Sequence, residues 1–139
     1  MNQAELRQLA EERIKDASAL IDGGRWEFAY YAAGYAVECA LKSCLLARMI
    51  HTGWVFQQKK KIEECWTHDF NSLCHIAGIK DELGEHLKAN EFFSRNWETV
   101  LQWDVSSRYE TKTEADARAH FAAITDEPDG VFLWLRNYW

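Results

Sequence analysis

The stretch GRWEFAYYAAGYAVECALKSCLLAR, Gly24–Arg48, contains no proline and one interior glycine, Gly34. Gly34 is the only breaker before Gly53, so the pattern predicts one long helix from Arg25 or Trp26 to about His51. Phe28, Tyr31, Tyr35, Cys39 and Leu46 recur at helical spacing and are expected to line one broad face. Ala29, Ala32, Ala33, Gly34, Ala36 and Ala40 trim side-chain bulk, so neighbouring helices can approach closely and this helix should be central. Two charges sit inside the run. Glu38 and Lys42 are spaced for an i,i+4 pair, which is the simplest account of them.

Outward from this helix the signals stay helical. Leu6, Leu9, Ala10, Ile14, Ala17, Leu20 and Ile21 follow three-and-four spacing, predicting an amphipathic helix over 3–22 that stops at Gly23-Gly24. A polar connection is expected over 53–66. In THDFNSLCHIAG, Thr67 reads as an N-cap with Asp69 in the first turn, and Gly78 closes a short helix. Leu83, Leu87, Trp97, Val100 and Leu101 predict a longer helix over about 80–102, weakened at its start by Gly84. DVSSRYETK reads as a loop. Thr113 and Asp116 resemble a capping box opening a helix towards Ile124, and Pro128 is expected in the first turn of a last helix through VFLWLRNYW. No strand alternation or repeat competes, so the expected fold is all-α, an up-and-down bundle of four to six helices.

The 139 residues suffice for one domain, expected over 1–139. A hydrophobic share of 47% supplies a core and argues against disorder. The net charge of -6 does not provide a broad electropositive surface for nucleic acid, so any such contact needs a local basic patch. QQKKK, Gln57–Lys61, is the one run of that kind and reads as a solvated loop. Met1–Ala10 does not look like a signal peptide, and no run approaches the ~18 apolar residues of a membrane span. A cytoplasmic protein is expected, with Cys39, Cys44, Cys65 and Cys74 as thiols acting as small hydrophobes. Cys65, His68, Cys74 and His75 are zinc-ligating types. However, adjacent side chains on a helix diverge by about 100°, so no metal site is expected.

GRWEFAYYAAGYAVECALKS, then THDFNSL, then SSRY resembles the HEPN domain family, from about Leu6 to Tyr109. The resemblance implies a small helical bundle, frequently a homodimer, associated with nucleotide or RNA transactions. It also implies a minimal nucleotidyltransferase as a partner in toxin and antitoxin pairs. The family's ribonucleases use an arginine, four to six intervening residues and a histidine. No arginine stands at that interval before His51, His68, His75, His86 or His120. Lys80 precedes His86 at the right spacing but lacks the planar guanidinium fork. The expected role is therefore a non-catalytic accessory or binding domain for a nucleotide, RNA or partner protein, with no cofactor. A ribonuclease with a non-standard site and a purely structural or regulatory dimer are the alternatives.

The candidate ligand-binding or polar cluster is Glu38, Lys42, His68, Asp69, Arg108 and Tyr109, with Tyr31 and Tyr35 as aromatic contacts one helical turn apart. His68 and Asp69 can equally cap a helix, and Tyr31 and Tyr35 can equally pack in a core or interface. Arg108 can hold a phosphate or pair with an acid. A carboxylate among apolar neighbours needs a partner, and Arg108 is the expected one for Glu38, with Tyr109 or His68 nearby. Trp134, Tyr138 and Trp139 are expected to support a dimer.

Overall fold

The computed structural model describes residues 1–52 and 59–139, with residues 52, 59 and 61 described by backbone alone. The helices are α1 (Gln3–Asp22), α2 (Trp26–Thr52), α3 (Lys59–Glu64), α4 (Phe70–Ile76), α5 (Lys80–Ala89), α6 (Glu91–Val100), α7 (Glu114–Thr125) and α8 (Val131–Leu135). A 3₁₀ helix, Val105–Tyr109, precedes α7. No strand occurs among the described residues, so the fold is all-α. No helix there is long and apolar enough to cross a membrane.

α1 keeps its expected bounds. Asn2 caps it by accepting from the Glu5 N–H at 2.9 Å, while the Glu5 carboxylate accepts from the Asn2 N–H at 2.8 Å. This reciprocal box satisfies two backbone donors that the first turn would otherwise leave unpaired. α2 is the central element, packed against α1, α4, the 3₁₀ helix, α7 and α8.

The buried side of α2 is its small-residue side, as the expected close approach of neighbouring helices requires. Ala29, Ala33, Ala36, Val37, Ala40 and Leu41 are nearly or fully inaccessible, whereas Phe28 is 58% exposed and Tyr31 and Tyr35 are only partly covered. Small residues win the core position because they let helix backbones approach. Gly34 carries this furthest: a Cβ there would lie 2.2 Å from Cδ1 of Trp103. Its role is close approach, and α2 continues through it.

Five other assignments shift. Asp69, rather than Thr67, is the N-cap of α4, accepting from the Ser72 N–H at 2.7 Å, while Thr67 accepts from the Asp69 N–H at 3.1 Å. The helix expected over 80–102 divides at Asn90, whose extended backbone ends α5 while its side chain accepts from the Phe93 N–H to begin α6. Its amide also donates to Asp129 at 2.7 Å, tying the break to the segment before α8. Pro128 lies ahead of α8, whose N-cap is Gly130, and not in its first turn. The loop expected at DVSSRYETK contains the 3₁₀ helix, capped by Asp104. Lys59–Lys61 belong to α3 rather than a loop, and Gln57 and Gln58 lie outside the described residues. Two expectations hold: Gly78, at φ +74°, closes α4, and the Thr113–Asp116 capping box opens α7.

One apolar cluster runs from Ala10 on α1 to Leu135 on α8. Trp134 belongs to it, and Tyr138 and Trp139 pack against it, Tyr138 at 5.0 Å from Trp134 and Trp139 at 5.4 Å from Phe132. The C-terminal aromatics therefore pack against their own chain, with Tyr138 and Trp139 only partly covered.

Candidate polar and aromatic site on α2

Phe28, Tyr31, Tyr35, Glu38 and Lys42 advance by three or four residues and so share one side of α2. The N-terminal part of this stripe is aromatic. Tyr31 lies 5.8 Å from Phe28 and 6.2 Å from Tyr35, the latter pair nearly parallel at 4°. With Arg13, Asp16 and Leu20 of α1 these rings border a groove of about 600 Å³. Arg13 is paired with Asp16 at 3.2 Å. Burial, followed by the nearby Cys39 and Glu38, raises the Tyr35 pKa, which keeps its phenol a hydrogen-bond donor.

The C-terminal part is ionic. Glu38 is only 2% exposed. Its Oε1 accepts from Lys42 Nζ at 2.8 Å, and both carboxylate oxygens lie within 3.0 Å of His68 Nδ1. His68 reaches α2 because the turn before α4, held by Thr67 and Asp69, presents it there. The Lys42 side chain is 24% exposed and that of His68 is 49% exposed, so the cluster has a dry carboxylate and two wet partners.

Arg108 is not the partner of Glu38. Its guanidinium lies 4.9 Å from the Tyr109 ring centre, and contact with Tyr109 first and Tyr31 second raises its pKa. The 3₁₀ helix delivers Arg108 to the aromatic part of the stripe, while His68 takes the place beside Glu38. No carboxylate pairs with Arg108 among the described residues. Asp69 serves as a helix cap, and Tyr109 is 79% exposed.

The asymmetry of exposure makes a prediction. Removing Lys42 strands part of a buried charge, whereas removing the charge of Glu38 leaves partners that can turn to water. Lys42→Met is expected to cost about 2 kcal/mol and Glu38→Gln about 1 kcal/mol or less. Chemical denaturation of both variants checks the order, and a larger loss for Glu38→Gln would contradict it.

Arg13 and Trp103 escaped the sequence reading. Trp103 stacks on Phe70 at 5.2 Å and meets Tyr31 at 6.0 Å, backing the aromatic stripe from inside. Gly34 was its signal, since an interior glycine can mark a bulky ring in close approach. Arg13 carried no such signal.

Metal-ligating residues do not converge. No group of three or more histidine, cysteine or acidic side chains is assembled to hold a metal among the described residues. Cys74 is fully buried, and burial pushes its thiol up to about 12, while the neighbouring His75 is exposed.

No curated protein and no solved structure gave a significant match. The family model for the HEPN domain matches residues 3–126, spanning α1 to α7 and the whole stripe described above. On that match over most of its length, this chain belongs to the HEPN domain family.

Proposed function

We propose that this chain is a non-catalytic accessory HEPN domain that binds a nucleotide or an RNA strand along the exposed side of α2. Arg108 carries the reading: an exposed guanidinium, without a carboxylate partner among the described residues, stands beside Tyr31 and Tyr109 at the aromatic stripe. A guanidinium offers a planar fork to a phosphate, and aromatic faces stack any base. The net charge of -6 gives no long-range attraction, so recognition would be local and salt-sensitive. A cytoplasmic setting suits the buried thiols of Cys39, Cys44 and Cys74.

Fluorescence anisotropy with a labelled single-stranded RNA tests this. The chain is expected to bind, and Arg108→Ala to weaken binding by about tenfold while leaving the thermal midpoint unchanged. The RNA should be recovered intact. Absence of binding, or equal binding by the variant, would count against the site.

A second reading, ribonuclease activity with a non-standard site, draws on the carboxylate–imidazole contact between Glu38 and His68, an arrangement used in general acid–base catalysis. Cleavage abolished by His68→Ala would select it. The homodimer and the minimal nucleotidyltransferase partner are expectations from family membership; light scattering and co-purification with a candidate partner test them separately.

A further inference from the structure

We propose that the apolar groove between the first turns of α1, the C-terminal half of α2 and α3 binds a medium-chain fatty acid, with its carboxylate on Lys42 and its chain along Leu46, Met49 and Trp66. The groove lies beyond Glu38, towards the opposite end of α2 from the aromatic stripe, so this site stands independently of the RNA-binding proposal.

The three-and-four spacing that puts Glu38 and Lys42 on one side of α2 continues through Leu46 and Met49. Leu6 of α1 flanks them, and α3 with the turn after it closes the third side through Ile62, Cys65 and Trp66. The enclosed volume is about 320 Å³. Leu6, Leu46, Met49 and Ile62 are only partly covered, and Trp66 is 79% exposed. Apolar side chains from three segments thus face one opening, a grouping that marks a binding site where single exposed residues would not.

Size and charge select the occupant. Lys42 and Met49 are seven residues apart, which is about 10 Å of helix and the reach of about eight extended methylene groups. At ~27 Å³ per methylene in a liquid hydrocarbon, the groove holds about twelve of them. A partner helix would have to seat several bulky side chains in that space, whereas a single chain fills it. Lys42 is the one charged side chain among the described residues that line the groove. Its ammonium has three donors, of which Glu38 Oε1 takes one at 2.8 Å, and the side chain is 24% exposed, so donors remain for an incoming acceptor. Burial and then Glu64 raise the pKa of the Cys65 thiol while the charge of Lys42 acts against them, which brings that charge to the groove wall. A carboxylate is the acceptor that bonds an ammonium most strongly. Glu38 opposes a second carboxylate, so the chain supplies the affinity and the head group the preference.

Cys65 reports on the site. Cys39, Cys44 and Cys74 are buried and Cys65 is partly exposed, so a maleimide should label Cys65 first. Labelling of the full chain, followed by mass spectrometry, is expected to slow saturably with decanoate below its micelle concentration. Octanoate should bind about tenfold more weakly, since each buried methylene adds about fourfold. Decan-1-ol, which keeps the chain and loses the charge, should also bind about tenfold more weakly, and Lys42→Met should bring acid and alcohol to the same affinity. Leu46→Glu should abolish the protection, and Trp66→Ala, at an exposed position, should weaken it about fivefold. Circular dichroism confirms that each variant is folded, and Trp66→Ala serves alone if Leu46→Glu is not.

No protection by decanoate, equal binding of octanoate and decanoate, or equal binding of decanoate and decan-1-ol would overturn the assignment. So would undiminished protection in the folded groove variants. Protection that rises with protein concentration in the absence of any acid would place a second copy of the chain in the groove, and would overturn it as well.

Discussion

Gly34→Ala is expected to destabilise the chain by about 3 kcal/mol, through overpacking at the closest contact on α2. The new methyl would sit 2.2 to 2.4 Å from three atoms of the Trp103 indole. That ring is 4% exposed and lies flat on Phe70, with Tyr31 on another side, so turning it away would break both contacts. Helix propensity points the other way, since alanine is favoured over glycine in a helix interior by about 1 kcal/mol. The clash outweighs this because relief requires moving a packed indole and its neighbours. Trp103→Leu in the same chain should recover part of the loss, giving a strongly non-additive double-mutant cycle. Unchanged or raised stability in Gly34→Ala would show that Trp103 does not sit against α2 as described. Because Trp103 also backs Tyr31, Gly34→Ala should weaken RNA binding at the proposed site even where the chain remains folded.

The same pair shows why sequence reading reached the helix but not its faces. α1 was legible because its three-and-four apolar spacing ended at two glycines, and the Thr113–Asp116 box carries its geometry within four residues. The aromatic side of α2 was expected, from its helical spacing, to line one broad face. Close helix packing favours alanine at the contact, which leaves Phe28, Tyr31 and Tyr35 at the rim. The split at Asn90 could not be read locally, because its side chain is committed partly to Asp129, far along the chain. Glu38 was recognisable as a carboxylate needing a partner. Which partner it takes depends on where two separate turns deliver His68 and Arg108, and that is a property of the assembled bundle. Lys42, one helical turn away, was legible from spacing alone and does pair with it.

The largest pH effect is expected from His120, which lies outside the proposed ligand sites. Its side chain is 1% exposed on α7 and stacks on Tyr30 at 4.2 Å, and neither ring nitrogen has a hydrogen-bond partner. Burial first, and the charge of Lys112 second, push its pKa from 6.5 down to about 3. The folded state therefore disfavours the imidazolium, while the unfolded chain accepts its proton near the ordinary value. Stability from this group is fully present above about pH 6.5 and is lost progressively as pH falls towards about 3, because the unfolded state binds more protons across that window. The loss should reach about 2 kcal/mol between about pH 7 and pH 5, and about 5 kcal/mol over the whole range. His120→Phe keeps a ring against Tyr30 and has nothing to protonate. It should match or exceed the parent in stability at neutral pH, since it also removes two buried nitrogens without partners, and its stability should fall less steeply in acid. Urea unfolding of both chains at a series of pH values makes the comparison, with the difference between the two curves isolating His120 from the carboxylates that titrate in the same range. Parallel curves would mean that His120 reaches water or a partner in the folded chain, and the assignment of a dry, neutral imidazole at the α2–α7 contact would have to be withdrawn.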